Sequence, residues 1–497
     1  MNAIVVGDKP AVHDRDGTLT WEELDLRSNQ VANALHDAGL RGNDRVGMLL
    51  RNGREMLELI LGAQKLGIVA CPMNTWAKPK ELEATLDDAG LALVVYDTAH
   101  SEQVEKADTG GLHLLHVGAD GDAVTGSDPY EDYVREHSSA PPSPFTRDRG
   151  SAKVIIHTSG TTGKPKGASR DASSTGIGPL THVLSVVPYR RDDVIYCPAP
   201  LFHSFGLFTS IVTMMLGSTL VLPDRFDAEG SLEMIEKHGA TAASFVPVMI
   251  KRILSLDDDV KSRYDLSSLR IVMASGSAMS SDLRKAAMDL FGDVLYDLYG
   301  STEVGWVAIA RPEDINANPK SVGKPVPGTE IAVFTKDGER AQIGEVGELF
   351  IKSDVHFEGY TSGESKEERD GYMSIGDLGR LDEKGFLFIE GRADDMVVIG
   401  GENVYPIEVE EVIESIDGVS EASVLGVKDE EYGEVLAAFV VGNASEEDVI
   451  GTCTRDLASF KVPKRVERID ELPRTSTGKV LKRELIKSLE GAEELDD

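Results

Sequence analysis

Between residues 154 and 299 the chain alternates short apolar, β-branched runs with stretches whose apolar positions recur at helical spacing. The runs fall at 154–156, 194–196, 218–222, 242–245, 270–274 and 294–299, and helices are expected over 228–238 and 281–291. Such alternation predicts a mostly parallel sheet covered by helices on both faces. An earlier segment reads the same way, with a helix over 21–38, a strand over 45–50 and a helix over 55–66. Two α/β lobes are therefore expected in the first half. Residues 125–150 carry Pro141, Pro142 and Pro144 among serines and charges, and read as a connection. Beyond Gly344 the rhythm changes to short strands and turns, at 347–351 and through 371–389, with Gly385 in a hairpin. A last unit starts near Arg392, with a helix over 406–415, strands over 422–427 and 436–441, and an acidic tail. At roughly a hundred residues it is within domain range. No internal repeat or low-complexity tract interrupts the pattern.

A chain of 497 residues is too long for a single core. Its 41% hydrophobic and 27% charged residues fit a globular enzyme rather than a disordered chain. The formal charge of −34 disfavours nonspecific binding to nucleic acid or anionic lipid, which would repel the surface. It also suggests a cytoplasm rich in salt, where screening makes such a charge tolerable. Cys71, Cys197 and Cys453 lack metal-ligand or redox spacing, so buried free thiols in a reducing compartment are expected. The N-terminus has no basic start followed by a long apolar stretch, and the apolar run at 211–222 is too short to span a bilayer. A cytoplasmic protein without an integral membrane segment is the expectation.

Directly after the run at 154–156 comes His157-Thr158-Ser159-Gly160-Thr161-Thr162-Gly163-Lys164-Pro165-Lys166-Gly167. Its glycines let the backbone turn tightly and aim N–H groups at an anion. Thr158, Ser159, Thr161 and Thr162 add hydroxyl donors, and Lys164 and Lys166 add charge. Such a loop suits a triphosphate. It is not a Walker A sequence, because Gly160 and Gly163 are too close and no Ser or Thr follows Lys164.

This stretch resembles the signature of the adenylate-forming superfamily: acyl-CoA synthetases, adenylation domains of peptide synthetases, and luciferases. Further signatures follow in family order. Tyr299-Gly300-Ser301-Thr302-Glu303 matches the second core motif, and Gly376-Asp377 the third. The segment at 391–395 matches the hinge motif, and that at 473–479 the terminal lysine motif. One match arises by accident; an ordered series does not. The resemblance implies an α/β fold with a large N-terminal domain over 1–391, built of two sheet lobes plus a small β-rich subdomain. A hinge at 392–394 and a mobile α+β domain at 395–497 complete it.

The resemblance also assigns roles. Forming an acyl-adenylate brings two anions together, so positive charge and a metal are needed. Glu303 would hold Mg²⁺, although a lone loop glutamate is ordinarily just solvated. Thr302 would bond a phosphate oxygen, Tyr299 would stack on adenine, and Gly276-Ser277-Ala278 would lie on the base's other side. Gly300 and Ser301 belong to the same ATP-binding turn. Asp377 would accept the ribose hydroxyls, and Arg392 would meet the ribose or phosphates; read alone, these are a turn-former and a surface ion-pair residue. Lys479 would swing in to bridge the carboxylate and the α-phosphate. Asp394 would be the hinge of a rotation between half-reactions, after which Gly400, Gly401 and Glu402 approach the thiol of CoA.

The segment at 198–207 matches the family's acyl-pocket region, with His203, Phe205, Phe245, Val246, Val248 and Ala274 as its expected lining. Amino-acid-activating relatives usually carry an aspartate there, and none occurs from 198 to 207. An apolar pocket and a fatty acid are therefore favoured. His203 gates the site, orients the carboxylate, or serves the fold alone. Bacterial fatty-acyl-CoA synthetases are the subgroup most resembled. One departure stands out: Ser169-Arg170-Asp171 occupies the place where members often have Thr-His-x-Asn. The implied cosubstrates are ATP and CoA with Mg²⁺, in a monomer or homodimer. Two enzymatic alternatives remain, a standalone adenylation enzyme loading a carrier-protein thiol and an aryl-acid CoA ligase. A non-catalytic nucleotide-binding module is the third, and intact Glu303, Arg392 and Lys479 argue against it.

Overall fold

Two large sheets carry the strands of the first 325 residues, with Phe357–Tyr360 returning to one of them, and their strand order differs from chain order. The computed structural model describes residues 2–143, 153–159, 165–171, 177–354, 357–361, 365–393, 395–399, 402–429, 433–475 and 478–493. The nine-stranded sheet is parallel through Pro10–Asp14, Thr219–Val221, Val194–Tyr196, Ala242–Phe245, Ile271–Ala274 and Leu295–Ser301. Antiparallel strands close its two edges. The eight-stranded sheet is parallel from Lys153–Ser159 through Val69–Pro72, Arg45–Leu49, Leu93–Asp97 and His113–Val117 to Asp128–Pro129. On its other side Pro165–Asp171 and Phe357–Tyr360 add antiparallel.

Two expectations change here. The strand Lys153–Ser159 does not continue the series that follows it in sequence, because it pairs with Val69–Pro72 in the other sheet. The connection at 125–150 contains the edge strand Asp128–Pro129 and the helix Tyr130–Arg135, which buries Tyr130 and Val134. Six residues are too few to show a helical period.

The helices follow from local chemistry. Trp21–Asp37 starts at a capping box in which Thr20 and Glu23 satisfy each other's backbone N–H, and it buries Leu24, Val31, Ala32 and Leu35. Ser281–Phe291 is capped by Ser280, and Pro247–Leu254 opens with Pro247, whose missing N–H costs nothing there. A five-stranded antiparallel sheet follows, with Gly385 at positive φ between Tyr372–Leu381 and Leu387–Arg392. The C-terminal unit has its own core of Val404, Val409, Ile413, Val424, Leu436 and Val449. It is built on the strands Val419–Asp429, Gly433–Gly442 and Arg465–Ile469. All three cysteines are buried and free. Among the described residues no helix is long and apolar enough to cross a membrane.

Candidate active site

Several predicted site residues lie at or just beyond the carboxyl ends of parallel strands, the edge where open α/β sheets bind ligands, whereas Asp377 and Arg392 pair antiparallel in the five-stranded sheet. Thr158 and Ser159 end the strand Lys153–Ser159 and face Lys166 and Pro165 across the antiparallel pair. Gly160, Thr161, Thr162, Gly163 and Lys164 lie outside the described residues, as do Asp394, Gly400 and Gly401. The base of the loop is clamped. Thr361 Oγ1 donates to Asp88 and accepts from the Gly167 N–H at 3.1 Å, while His157 Nε2 stands 3.4 Å from Asp88. The neighbouring His157 imidazole comes first among the groups that hold the Asp88 carboxyl below its usual range, despite partial burial, and Thr361 and the Gly167 N–H add to it.

Tyr299, Gly300 and Ser301 are strand rather than turn, and the turn is formed by residues 302–304 before the antiparallel strand Gly305–Ala310. A side chain at Gly300 would place its Cβ 2.0 Å from the Gly305 carbonyl oxygen, so this hairpin requires glycine. At its tip, Glu303 Oε1 accepts a 2.5 Å hydrogen bond from the Tyr360 hydroxyl. Burial pushes the Glu303 carboxyl up, but hydrogen bonds from Tyr360, Ser301 and its own backbone N–H, with the charge of Lys366, together outweigh it, leaving the group below the usual range and charged. Thr302 and Ser204 share a 2.9 Å hydrogen bond between their hydroxyls. Because Ser204 opens the helix Ser204–Leu216, this bond joins the hairpin tip to the expected acyl segment.

Asp377 lies where two elements converge. Its Oδ1 accepts from Arg392 Nη1 at 2.9 Å, and its Oδ2 accepts from the Tyr299 hydroxyl at 2.5 Å. Burial and this carboxylate raise the Tyr299 phenol well above its ordinary value, so it stays a donor. Arg392 also donates to the Ile375 carbonyl at 3.1 Å. Gly276, Ser277 and Ala278 follow the strand Ile271–Ala274, and a Cβ at Gly276 would lie 3.3 Å from Val246. The segment expected beside adenine thus touches the segment expected beside the acid.

On that acid side, His203 precedes the helix Ser204–Leu216, and its ring centroid lies 4.4 Å from that of Phe202. Burial, with the charge of Lys479 adding, lowers its imidazole to about 3 and keeps it neutral. Phe205, Val246, Phe245 and Ala274 all belong to one buried core, Phe245 and Ala274 fully enclosed, with Phe245 packed between Tyr196 and Phe291. Gly478, at φ 82°, packs so that a Cβ would stand 3.2 Å from Val248. Lys479 is exposed beside it. Glu402 begins the short strand Glu402–Val404, away from this contact in sequence and paired with Val397–Ile399. The loop of the terminal lysine therefore sits against helix Pro247–Leu254, beside residues expected to line the acid.

The AMP-binding enzyme family matches residues 2–361, and the AMP-binding enzyme C-terminal domain matches residues 408–479. The chain belongs to the AMP-binding enzyme family. Curated relatives span nearly its whole length. A fatty acid–[acyl-carrier-protein] ligase of Streptomyces coeruleorubidus is 32% identical over 96% of this chain and 92% of its own. A long-chain-fatty-acid–CoA ligase of Mycobacterium tuberculosis is 32% identical over 94% of this chain and 92% of its own. Among solved structures, an anthranilate CoA ligase in complex with anthranoyl-AMP superposes with a TM-score of 0.89 at 28% identity, covering 99% of this chain and 96% of the other. As a family member the chain is an adenylate-forming enzyme of the AMP-forming acid–thiol ligase class, and ATP is its cosubstrate.

Several residues at this site carried no signal in the sequence. Tyr360 and Glu303 are 57 positions apart, and Ser204 and Thr302 are 98 apart. Asp88 and Thr361 stand further still from one another, 273 positions apart. No spacing rule links such pairs.

Proposed function

We propose that this enzyme converts an apolar carboxylic acid, of the fatty-acid class, and ATP to acyl-AMP and diphosphate. It then passes the acyl group to the thiol of CoA and releases AMP. The observation that supports this reading is the seating of Gly478 on Val248, which sets the Lys479 loop against the expected acyl lining, with Lys479 close enough to His203 to help depress its imidazole. Lys479 neutralises charge as the carboxylate attacks the α-phosphorus, and Arg392 and Asp377 orient the ribose. Ribose hydroxyls compete with the Tyr299 phenol for Asp377, and binding of the nucleotide frees that phenol.

Among the described residues no cluster of His, Cys, Asp or Glu could hold a metal by itself. A single charged Glu303 nonetheless suits Mg²⁺, which takes one or two carboxylates and completes its shell with phosphate oxygens and water. Bound there, Mg²⁺ would neutralise phosphate charge. The apolar lining by Phe205, Val246 and Val248, with a neutral His203, supports an uncharged acyl chain. The boundaries 1–391, 392–394 and 395–497, with Asp394 as hinge and Gly400, Gly401 and Glu402 beside the entering thiol, complete the proposal.

The carrier-protein ligase and the anthranilate ligase among the similar proteins name the two competing readings. Pyrophosphate release is the test, measured across acids of increasing chain length and aryl acids, with CoA or a carrier protein as acceptor. The proposal expects release with fatty acids and thioester only with CoA. Turnover restricted to aryl acids, or a thioester formed only on the carrier, refutes it. Lys479→Ala is expected to abolish pyrophosphate release while leaving thioester formation from supplied acyl-adenylate measurable.

A further inference from the structure

Helix Pro247–Leu254 meets the C-terminal unit through two residues one turn apart. Val248 and Lys251 stand at i and i+3, so they share a face. Val248 receives Gly478, as described. Lys251 Nζ lies 3.3 Å from Glu421 Oε1, on the strand Val419–Asp429. The other oxygen of Glu421 pairs with Arg474 Nη2 at 2.9 Å. Arg474 in turn donates through Nη1 to the Gly478 carbonyl oxygen at 2.6 Å. The contacts close a ring: Val248, Lys251, Glu421, Arg474, Gly478 and back to Val248. Lys479 is the next residue, and Thr475 holds both its N–H, at 3.1 Å, and its carbonyl, at 2.7 Å.

We infer that Lys251, Glu421 and Arg474 are positioning residues that seat the Lys479 loop against the acid side of the cleft for the adenylation step. Lys251 is the one charged member outside the C-terminal unit, so together with the apolar seat at Val248 it fixes the height and angle of that loop from the large domain. The charges suit the task. Burial pushes the Glu421 carboxyl up, and Lys251 and Arg474 together outweigh it, so the group stays ionised and below its usual range. Glu421 is 15% exposed and its partners 29% and 24%, which leaves the ring partly shielded from screening salt. A second ion pair crosses between the same units, Lys320 to Glu411 at 2.6 Å, but Lys320 is 68% exposed and touches no part of the loop. Pairs of that kind contribute little.

This inference rests on the proposed role of Lys479, and half-reaction kinetics separate the two. Lys251→Ala should lower kcat for pyrophosphate release about tenfold, equivalent to about 1.4 kcal/mol of transition-state stabilisation. KM for ATP and for the acid should stay within about twofold, as should thioester formation from supplied acyl-adenylate. Glu421→Gln, which keeps the side-chain shape, should show the same selective loss. Lys251→Arg should recover most of the rate, and Lys320→Ala should leave both half-reactions unchanged. Equal losses in both half-reactions for Lys251→Ala, no loss in either, or an equal effect of Lys320→Ala overturns the inference. Wild-type enzyme that releases no pyrophosphate with any acid overturns the proposed function, and the inference falls with it. Wild-type activity together with an inert Lys251→Ala overturns the inference alone.

Discussion

Arg284 offers the sharpest test of how the strand Leu295–Ser301, which carries Tyr299, is held. It lies in the helix Ser281–Phe291 and is 3% exposed, and its partner Asp297, 6% exposed, is on the strand that carries Tyr299. Both Nε, at 2.9 Å, and Nη2, at 2.6 Å, donate to Asp297 Oδ2. Nη1 donates to the carbonyls of Ser321, at 3.1 Å, and Pro319. Arg284→Ala would leave a buried carboxylate without its counter-charge and two carbonyls without their donor. Breaking a buried pair from one side costs roughly 3–5 kcal/mol, because the remaining charge is still desolvated. A loss of about 4 kcal/mol is expected, which shifts a urea midpoint by about 1 M or more. Replacing both partners, as in Arg284→Met with Asp297→Leu, removes the stranded charge and should cost less than the single change. Equilibrium urea unfolding followed by near-UV circular dichroism measures both. A single variant within about 1 kcal/mol of wild type, or a double variant less stable than the single, would refute the reasoning.

Tyr360→Phe removes the hydrogen bond that fixes Glu303, and should raise the Mg²⁺ concentration for half-maximal pyrophosphate release by about tenfold, the lower range for loss of a group that orients a metal ligand; an unchanged Mg²⁺ dependence counts against it. His203 is lowered to about 3, so its imidazole should remain neutral at pH 5 by NMR, and a folded-state titration near the model-peptide value contradicts the burial argument. The sign follows: as pH falls below about 6.5 the unfolded chain takes up this proton first, so the stability His203 contributes is full above that pH and declines toward pH 3. At a net charge of −34, raising KCl from about 0.1 M to about 1 M shortens the screening length from about 10 Å to about 3 Å and should raise the melting temperature. Full stability in dilute buffer would show that self-repulsion is already balanced.

Local pattern determined a good deal of this protein. The alternation of apolar runs and amphipathic stretches located most of the elements between 194 and 299, because strand and helix periods are written in neighbouring residues. Composition set its charge, and the ordered signatures identified its family. What the chain order could not supply was pairing. The strand Lys153–Ser159 reads as the first of a series, yet it enters a different sheet from Val194–Tyr196, which puts the strand leading into the expected phosphate loop on one sheet and Tyr299 on the other. Tyr360 meets Glu303 only because Phe357–Tyr360 returns to pair with Pro165–Asp171. Lys251 meets Glu421 only because the C-terminal unit docks against helix Pro247–Leu254. Periodicity fixes which face of an element is apolar. Which partner covers that face depends on crossovers and domain docking, and these join residues too far apart for any local period to record.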